Sequence, residues 1–260
     1  MRQLSLVIAA AVAASIPTGA FAQSAPVQSA PVASDCMSPT AELTGTVQRV
    51  TFRSRGREIQ GLLYKPARPN GAGIVAVHDR EGIERDVQRY EAQLGRLATC
   101  GYTVIVPSYY DAAGPRSVND PMLTDKWTRV IDEAINHLVQ VDGIDAARIG
   151  VWGYGRGGAL TLEDAYNGIA ANALVAVSAH GRAERPRSPL PPILLIAGDH
   201  DPDAPIYAAE EFARTSRRLS DIDVTVQSVP ADLHEFTPAA WEQVFIQSRE
   251  FFDKHLLPAN

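Results

Sequence analysis

The sequence has little of several features that mark other classes of protein. It carries 24 basic and 30 acidic residues, a net charge of −6, and this acidic balance argues against nucleic acid as a partner. Beyond the N-terminal region no run approaches eighteen continuous apolar residues, so we predict no membrane-spanning helix in the mature chain. The sequence also lacks a P-loop, a dinucleotide-binding glycine pattern and a convincing zinc spacing, so we predict no cofactor.

Cysteine is scarce as well, with Cys36 and Cys100 as the two cysteines of the chain. Two cysteines in an exported protein meet oxidising conditions and can pair. Pairing requires their Cα atoms to come within about 7 Å, which the sequence leaves open.

The N-terminal region has the pattern of a secretory signal. Arg2 precedes an apolar stretch at 4–16, and Ala20 and Ala22 form a small-residue cleavage site. We therefore predict a signal peptide at 1–22 and export to the periplasm or the medium. Residues 23–40 are rich in Ala, Pro, Ser and Gln and predict a flexible leader, which leaves 41–260 as one folded domain.

The folded part alternates between predicted strands and predicted helices. Residues 47–52 and 59–64 flank a polar turn and predict an antiparallel hairpin. Short continuous apolar runs, which are typical of strands buried on both faces, occur at 73–77, 102–106, 149–152, 173–177 and 193–197. Helices are predicted between and after them, at 85–99, 127–138, 157–169, 205–219 and 239–256. This alternation predicts an α/β fold with a doubly wound, mostly parallel sheet, in which ligands bind beyond the carboxyl ends of the strands.

Polar residues after these strands occur in an informative order. Gly153, Gly155 and Gly157 occupy the frame of G-x-S-x-G, the sharp strand-to-helix turn that raises a nucleophile above the sheet. Asp201 follows a later strand, and His234 follows the predicted end of the sheet. This is the order nucleophile, acid, histidine that the motif predicts, with glycine at the nucleophile position.

At this point the chain resembles the dienelactone hydrolase family of the α/β-hydrolase superfamily. The matching stretches span nearly all of 55–256 and lie at 74–78 with Gly82, 101–110, 144–158, 194–205 and 234–236. The resemblance implies hydrolysis of ester or lactone bonds by a Cys or Ser nucleophile. It also implies that Asp201 orients His234 and that an oxyanion hole lies near Asp79, Arg80 and Arg156, with Tyr154 beside it in the pocket.

The chain departs from that pattern at Gly155, where no acyl-enzyme can form. Glycine relaxes the strained turn, and we expect it to leave a space beside His234 that a water molecule can fill. Two hypotheses follow. In one, His234 activates that water in a one-step hydrolysis; in the other, the protein binds a small molecule without turnover.

Other assignments of the site stay open. Asp199 or Asp203 can replace Asp201 as the acid, and the hydroxyls of Tyr154, Ser178 and Ser108 are alternative nucleophiles. The acidic residues at 199, 201, 203 and 210 match a calcium loop in spacing, but Ala204 stands where that loop needs glycine, so we predict no metal.

The sequence also suggests the chemistry of the ligand. Arg80 and Arg156 flank the inferred oxyanion region and favour an ester, lactone or other ligand that carries a carboxylate. The oligomeric state is not indicated by any pattern.

Overall fold

The computed structural model describes residues 35–114 and 121–258. Its strands are β1 Gly45–Ser54, β2 Arg57–Pro66, β3 Gly73–Val77, β4 Thr103–Pro107, β5 Ile149–Tyr154, β6 Ala173–Val177, β7 Ile193–Gly198 and β8 Val224–Val229. Its α helices are α1 Ile83–Thr99, α2 Pro121–Leu138, α3 Arg156–Asn167, α4 Ile206–Leu219 and α5 Pro238–Leu256. The predicted signal peptide at 1–22 lies outside the described residues.

The strands form one sheet in the order β1-β2-β4-β3-β5-β6-β7-β8. β1 and β2 pair antiparallel, β2 pairs antiparallel with β4, and every pair from β4 to β8 is parallel. The β1–β2 turn is tight because Arg55 and Gly56 both take positive φ angles, 45° and 82°, as a two-residue hairpin turn requires. The predicted α/β fold with its N-terminal hairpin is confirmed.

The central strands are buried on both faces because a helical layer packs on each side. On β3, Val75 and Val77 face a core that includes Trp127 of α2. Ile74 and Ala76 point the other way, into a core that α1 and α5 complete. Continuous apolar runs are therefore required in these strands, and the predicted bounds of β3 and β6 match the observed ones.

The edge strand β8 lacks such a run. Only its two end residues, Val224 and Val229, are buried, and the residues between them are partly or fully exposed. The sequence predicts that the sheet ends before His234 but gives no bounds for the last strand, because an edge strand half covered by helices carries no continuous apolar signal. Among the described helices none is long and apolar enough to cross a bilayer.

The folded domain begins earlier than its composition suggests. Cys36 and Cys100 form a disulfide, with sulfur atoms 2.12 Å apart and Cα atoms 5.3 Å apart. The buried Arg96 donates hydrogen bonds to the carbonyls of Cys36 and Met37, at 3.1 Å each. Residues 23–34 of the predicted leader lie outside the described residues, and these contacts join residues 36 and 37 to the domain. Low apolar content predicts flexibility, but composition alone cannot show that the disulfide and the buried Arg96 hold this segment against the domain.

Candidate active site

The turn between β5 and α3 has the geometry that the glycine frame predicts. Gly155 lies between Tyr154 and Arg156 with φ +54° and ψ −117°, a backbone conformation that glycine adopts without strain. The flanking glycines allow close approach of backbone segments: a Cβ on Gly153 would meet the backbone of Gly157. The turn is therefore a sharp strand-to-helix turn, as the G-x-S-x-G frame predicts.

The space above Gly155 is occupied by the carboxylate of Asp79. A Cβ atom built on Gly155 would collide with Asp79 Oδ1 and Cγ. Asp79 follows β3 and is 1% exposed, and its Oδ1 accepts the backbone N–H of Arg156 at 2.7 Å. Our expectation of a water-sized space at this position is wrong, because the neighbouring loop supplies a side chain that fills it.

His234 lies between two carboxylates. Its Nδ1 is 3.2 Å from Oδ2 of Asp201, and its Nε2 is 3.3 Å from Oδ2 of Asp79. The ring of Tyr154 stacks on the imidazole at 5.1 Å between centroids, and its hydroxyl donates to the backbone carbonyl of His234. Tyr154 therefore fixes the orientation of the imidazole.

Asp201 is the one of the three candidate acids that contacts His234. Its Oδ1 accepts the backbone N–H of Asp203 at 2.9 Å and of Ala204 at 3.2 Å, while Oδ2 also accepts the hydroxyl of Ser178. Asp203 instead pairs with Arg80 at 3.2 Å. Asp199 donates its backbone N–H to the carbonyl of Val229 at 3.0 Å.

The alternative nucleophiles have other partners. The Ser178 hydroxyl donates to Asp201, and the Ser108 hydroxyl donates to Asp111 at 2.9 Å. The Tyr154 hydroxyl faces the backbone of His234. The structure therefore brings none of them to the Nε2 atom of His234, which Asp79 faces.

The electrostatics of this group hold both carboxylates ionised. Burial disfavours the charged form of Asp79, but hydrogen bonds from His234 and from the backbone N–H groups of Arg156 and Arg80 outweigh it and lower its pKa. Burial likewise opposes the charge on Asp201, yet hydrogen bonds from His234, Ser178 and the Asp203 backbone lower its pKa to about 2.

The same contacts shift the pKa of His234 in the opposite direction. Burial disfavours the imidazolium, but hydrogen bonds and charge from Asp201 and Asp79 raise the pKa of His234 to about 9. At neutral pH the three residues therefore form a carboxylate, imidazolium, carboxylate series. We call this series, Asp201, His234 and Asp79, the acid–histidine–acid unit.

Two aromatic side chains behind Asp79 hold its backbone. His78 Nδ1 lies 2.7 Å from the carbonyl oxygen of Asp79, and Tyr109 donates its hydroxyl to the same oxygen at 3.1 Å. The two rings stack at 4.0 Å, and both residues are fully buried. The sequence predicts only an oxyanion hole near Asp79 and no role for Tyr109; the available signal was an acidic residue two positions after a buried strand.

A cavity of about 310 Å³ opens onto the unit, and its lining includes Gly155, His234, Arg80, Arg156 and His180. Arg80 is half exposed and lies 3.8 Å from Oδ2 of Asp79. The guanidinium of Arg156 donates to the Tyr110 hydroxyl at 2.5 Å. Both predicted arginines thus line the cavity, Arg80 at its opening and Arg156 against an aromatic wall. Within the described residues no group of acidic, His or Cys side chains is arranged to hold a metal ion.

Known proteins resemble the chain in sequence pattern and in fold. The family model described as the dienelactone hydrolase family matches residues 59–244. No curated protein matches the chain. Many solved structures share the fold, and three of them illustrate it. A dienelactone hydrolase-like promiscuous phosphotriesterase from metagenomic libraries is 18% identical with a TM-score of 0.66, covering 82% of this chain and 99% of its own.

The other two are more distant in sequence. Est1E from Butyrivibrio proteoclasticus is 16% identical with a TM-score of 0.60, covering 79% of this chain and 98% of its own. Pyrococcus horikoshii acylaminoacyl peptidase is 15% identical with a TM-score of 0.67, covering 84% of this chain and 43% of its own. The family match covers well over half of the chain, and the chain therefore belongs to the dienelactone hydrolase family.

Proposed function

We propose that the mature chain is an exported hydrolase of ester or lactone bonds that works without a nucleophile at position 155. Family membership supports the class of reaction. The observation that carries the proposal is the position of His234 between Asp201 and Asp79, at 3.2 and 3.3 Å, beside the turn that holds Gly155. The reactive groups are therefore those of the acid–histidine–acid unit.

The opposed pKa shifts assign roles in this reaction. A pair of titratable groups whose environments push their pKa values apart supplies a base and an acid at the same pH. Asp79 is ionised and accepts the proton of an attacking water. His234 is protonated and donates to the leaving oxygen, while Asp201 holds the ring through Nδ1.

The oxyanion of the tetrahedral intermediate needs donors as well. The backbone N–H of Arg156 donates to Oδ1 of Asp79 in the resting state. Once Asp79 takes a proton it becomes a weaker acceptor, and this donor turns to the developing oxyanion. The reaction forms no acyl-enzyme, and Asp79 returns its proton to His234 after the leaving oxygen has taken the proton of the imidazolium.

Export and the ligand's charge belong to the same proposal. The signal-like pattern at 1–22 and the disulfide between Cys36 and Cys100 both suit an oxidising compartment outside the cytoplasm. Arg80 at the cavity opening suits a substrate that carries a carboxylate.

The test is hydrolysis of a panel of activated esters and lactones by the purified mature chain, compared with His234→Gln and Asp79→Asn. His137→Gln is the matched control, because His137 stacks on Phe52 away from the cavity. We expect turnover that falls ~10²–10⁴-fold in the two site variants and is unchanged in the control. Equal turnover in all four proteins contradicts the proposal.

A second candidate function is binding without turnover, and one observation favours it. The Asp79 carboxylate already accepts from Nε2 of His234 and from the Arg156 N–H, so these two donors need no substrate as a partner in the resting site. In that case small carboxylates bind in the cavity while the whole panel stays uncleaved. Turnover by highly purified protein eliminates this alternative.

A further inference from the structure

The two oxygens of Asp79 have different partners. Oδ1 accepts the N–H of Arg156 at 2.7 Å, whereas Oδ2 faces Nε2 of His234 at 3.3 Å. The carboxylate itself lies where the first atoms of a side chain on Gly155 would stand. Oδ1 thus accepts a backbone N–H group of the kind that stabilises an oxyanion. Oδ2 lies beside His234, at the position that a nucleophile on residue 155 would occupy.

We propose a further activity for this arrangement: Asp79 is a covalent nucleophile that attacks a saturated carbon bearing a leaving group, such as the carbon of a small alkyl halide. Carboxylates are established covalent nucleophiles in enzymes. The intermediate is an alkyl ester of Asp79, which water then hydrolyses. The inference rests on the assignment of the active site but not on the hydrolysis of external esters.

The position of Oδ1 is the reason that saturated carbon is the target. Attack on an acyl carbon creates an oxyanion on the substrate, which needs donors at once. The Arg156 N–H is bound to Asp79 Oδ1, so it is not free for that oxyanion while Asp79 stays charged. Displacement at saturated carbon creates no oxyanion on the substrate, and the first step proceeds with this hydrogen bond in place.

The first step transfers an alkyl group. Oδ2 of Asp79 forms a bond to the carbon, the carbon–halogen bond breaks, and halide leaves with the bonding electron pair. Asp79 becomes a neutral ester. Its negative charge is one of the causes that raise the pKa of His234, so formation of the ester lowers that pKa. The imidazole that has released its proton to solvent is the base of the next step.

The second step returns the enzyme to its resting state. Neutral His234 takes a proton from water, and the oxygen adds to Cγ of Asp79. The oxyanion forms on Oδ1, which already accepts the Arg156 N–H. Collapse breaks the bond between Cγ and the alkoxy oxygen, the alkoxide takes the proton from His234, and alcohol leaves. Asp79 is then a carboxylic acid, and it gives its proton to His234, which restores the carboxylate and the imidazolium. The sum is alkyl halide plus water giving alcohol, halide and a proton.

The cavity is lined by His234 of the acid–histidine–acid unit and by Arg80. Asp79 itself is 1% exposed, and the half-exposed Arg80 lies 3.8 Å from its Oδ2. A substrate in the cavity therefore reaches Asp79 only when Arg80 moves aside. The ion pair of Arg80 with Asp203 opposes this movement little, because both side chains are half exposed. The cavity volume of about 310 Å³ restricts the substrate to small molecules.

Bromoacetate is a suitable probe because the chain offers it no thiol. Both cysteines of the sequence are in the disulfide. We expect the mature protein to release bromide catalytically and to form glycolate, and we expect Asp79→Asn to release bromide at the rate of buffer alone. Thermal unfolding of Asp79→Asn checks that the variant folds.

Oxygen labelling identifies the nucleophile independently of any variant. In water enriched in oxygen-18, the first-turnover glycolate carries the ordinary oxygen of Asp79, and repeated turnover places the heavy isotope in the protein. Trypsin releases residues 58–80 as one peptide, because prolines follow Lys65 and Arg68, and its carboxylate side chains are Glu58 and Asp79. Fragmentation of this peptide therefore locates the label.

A variant of the histidine traps the intermediate. His234→Gln lacks the base of the second step, so one carboxymethyl group per chain should accumulate on Asp79. Glu163 is a matched control because its carboxylate lines the cavity, and Glu163→Gln combined with His234→Gln should leave the adduct on Asp79.

Three results overturn the inference: no bromide release above that of Asp79→Asn, an adduct on His234 or Glu163 in place of Asp79, or turnover without label in Asp79. Failure of the ester and lactone panel leaves these outcomes unaffected. Turnover of that panel without any attack on bromoacetate retains the proposed function and removes this inference.

Discussion

The carboxylate of Asp79 stands where a side chain on Gly155 would have to stand. Two neighbouring loops therefore share one position above the sheet, and only one of them can place a side chain there. Gly155 and Asp79 are complementary, because Gly155 has no side chain and the carboxylate of Asp79 fills the space that a side chain would need. This complementarity leads to the first prediction.

Gly155→Ser should fail to restore a working serine nucleophile. The new Cβ collides with Asp79, and a φ of +54° is unfavourable for serine. We expect a loss of at least ~2 kcal/mol in the free energy of unfolding.

The double variant Gly155→Ser with Asp79→Ala relieves the collision and places a hydroxyl beside His234. Ester hydrolysis with an acyl-enzyme burst should appear in the double variant alone. Denaturant unfolding of both single variants and the double variant gives the coupling energy. Additive stability losses would show that the two positions do not compete for one space.

The stability of the protein should depend on pH through His234. Its pKa is raised from 6.5 to about 9 in the folded chain, so this stabilisation is fully present below pH 6.5 and is lost as pH rises through about 9. The shift corresponds to on the order of 3 kcal/mol. Melting temperatures measured from pH 6 to 10 should fall more steeply in wild type than in His234→Gln, and parallel curves would contradict the ionised unit.

Loss of the disulfide should destabilise the domain. Cys36 and Cys100 are 64 residues apart in sequence, and closing a loop of that size contributes about 2–4 kcal/mol. Cys36→Ser with Cys100→Ser should lower the midpoint of denaturant unfolding. Reduction of wild type should reproduce the effect, and reductant should have none on the double variant.

Arg80 should affect binding of charged ligands more than the chemical step. It lies at the cavity opening beside Asp79 and Asp203. Arg80→Ala should raise KM about 10-fold for a carboxylate-bearing ester and leave KM for the neutral analogue nearly unchanged, since a charge-assisted hydrogen bond contributes about 1.5–3 kcal/mol. Equal effects on both substrates would remove Arg80 from recognition.

Much of the fold could be predicted because buried strands leave a direct record in the sequence. β3 and β6 need apolar residues on both faces, and their continuous runs give their bounds. β8 lies at the edge and is only partly covered, so it leaves a weaker pattern. The start of the domain depends on the disulfide of Cys36 and on the hydrogen bonds of Arg96, and neither can be predicted from composition.

The site could be predicted in part for a similar reason. Gly155, Asp201 and His234 each follow a strand, and their order along the chain is a local pattern. The contact of Asp79 with the space above Gly155 depends on how two loops meet in three dimensions. A spacing rule cannot report that a side chain from one loop fills a position left empty in another.

The most direct test is the hydrolysis of activated esters and lactones by wild type, Asp79→Asn and His234→Gln, with folding confirmed for each by thermal unfolding. We predict turnover in wild type that is lost in both variants. Turnover that survives in Asp79→Asn, or its absence from all three folded proteins, would contradict the claim that Asp79 and His234 form a working hydrolytic site.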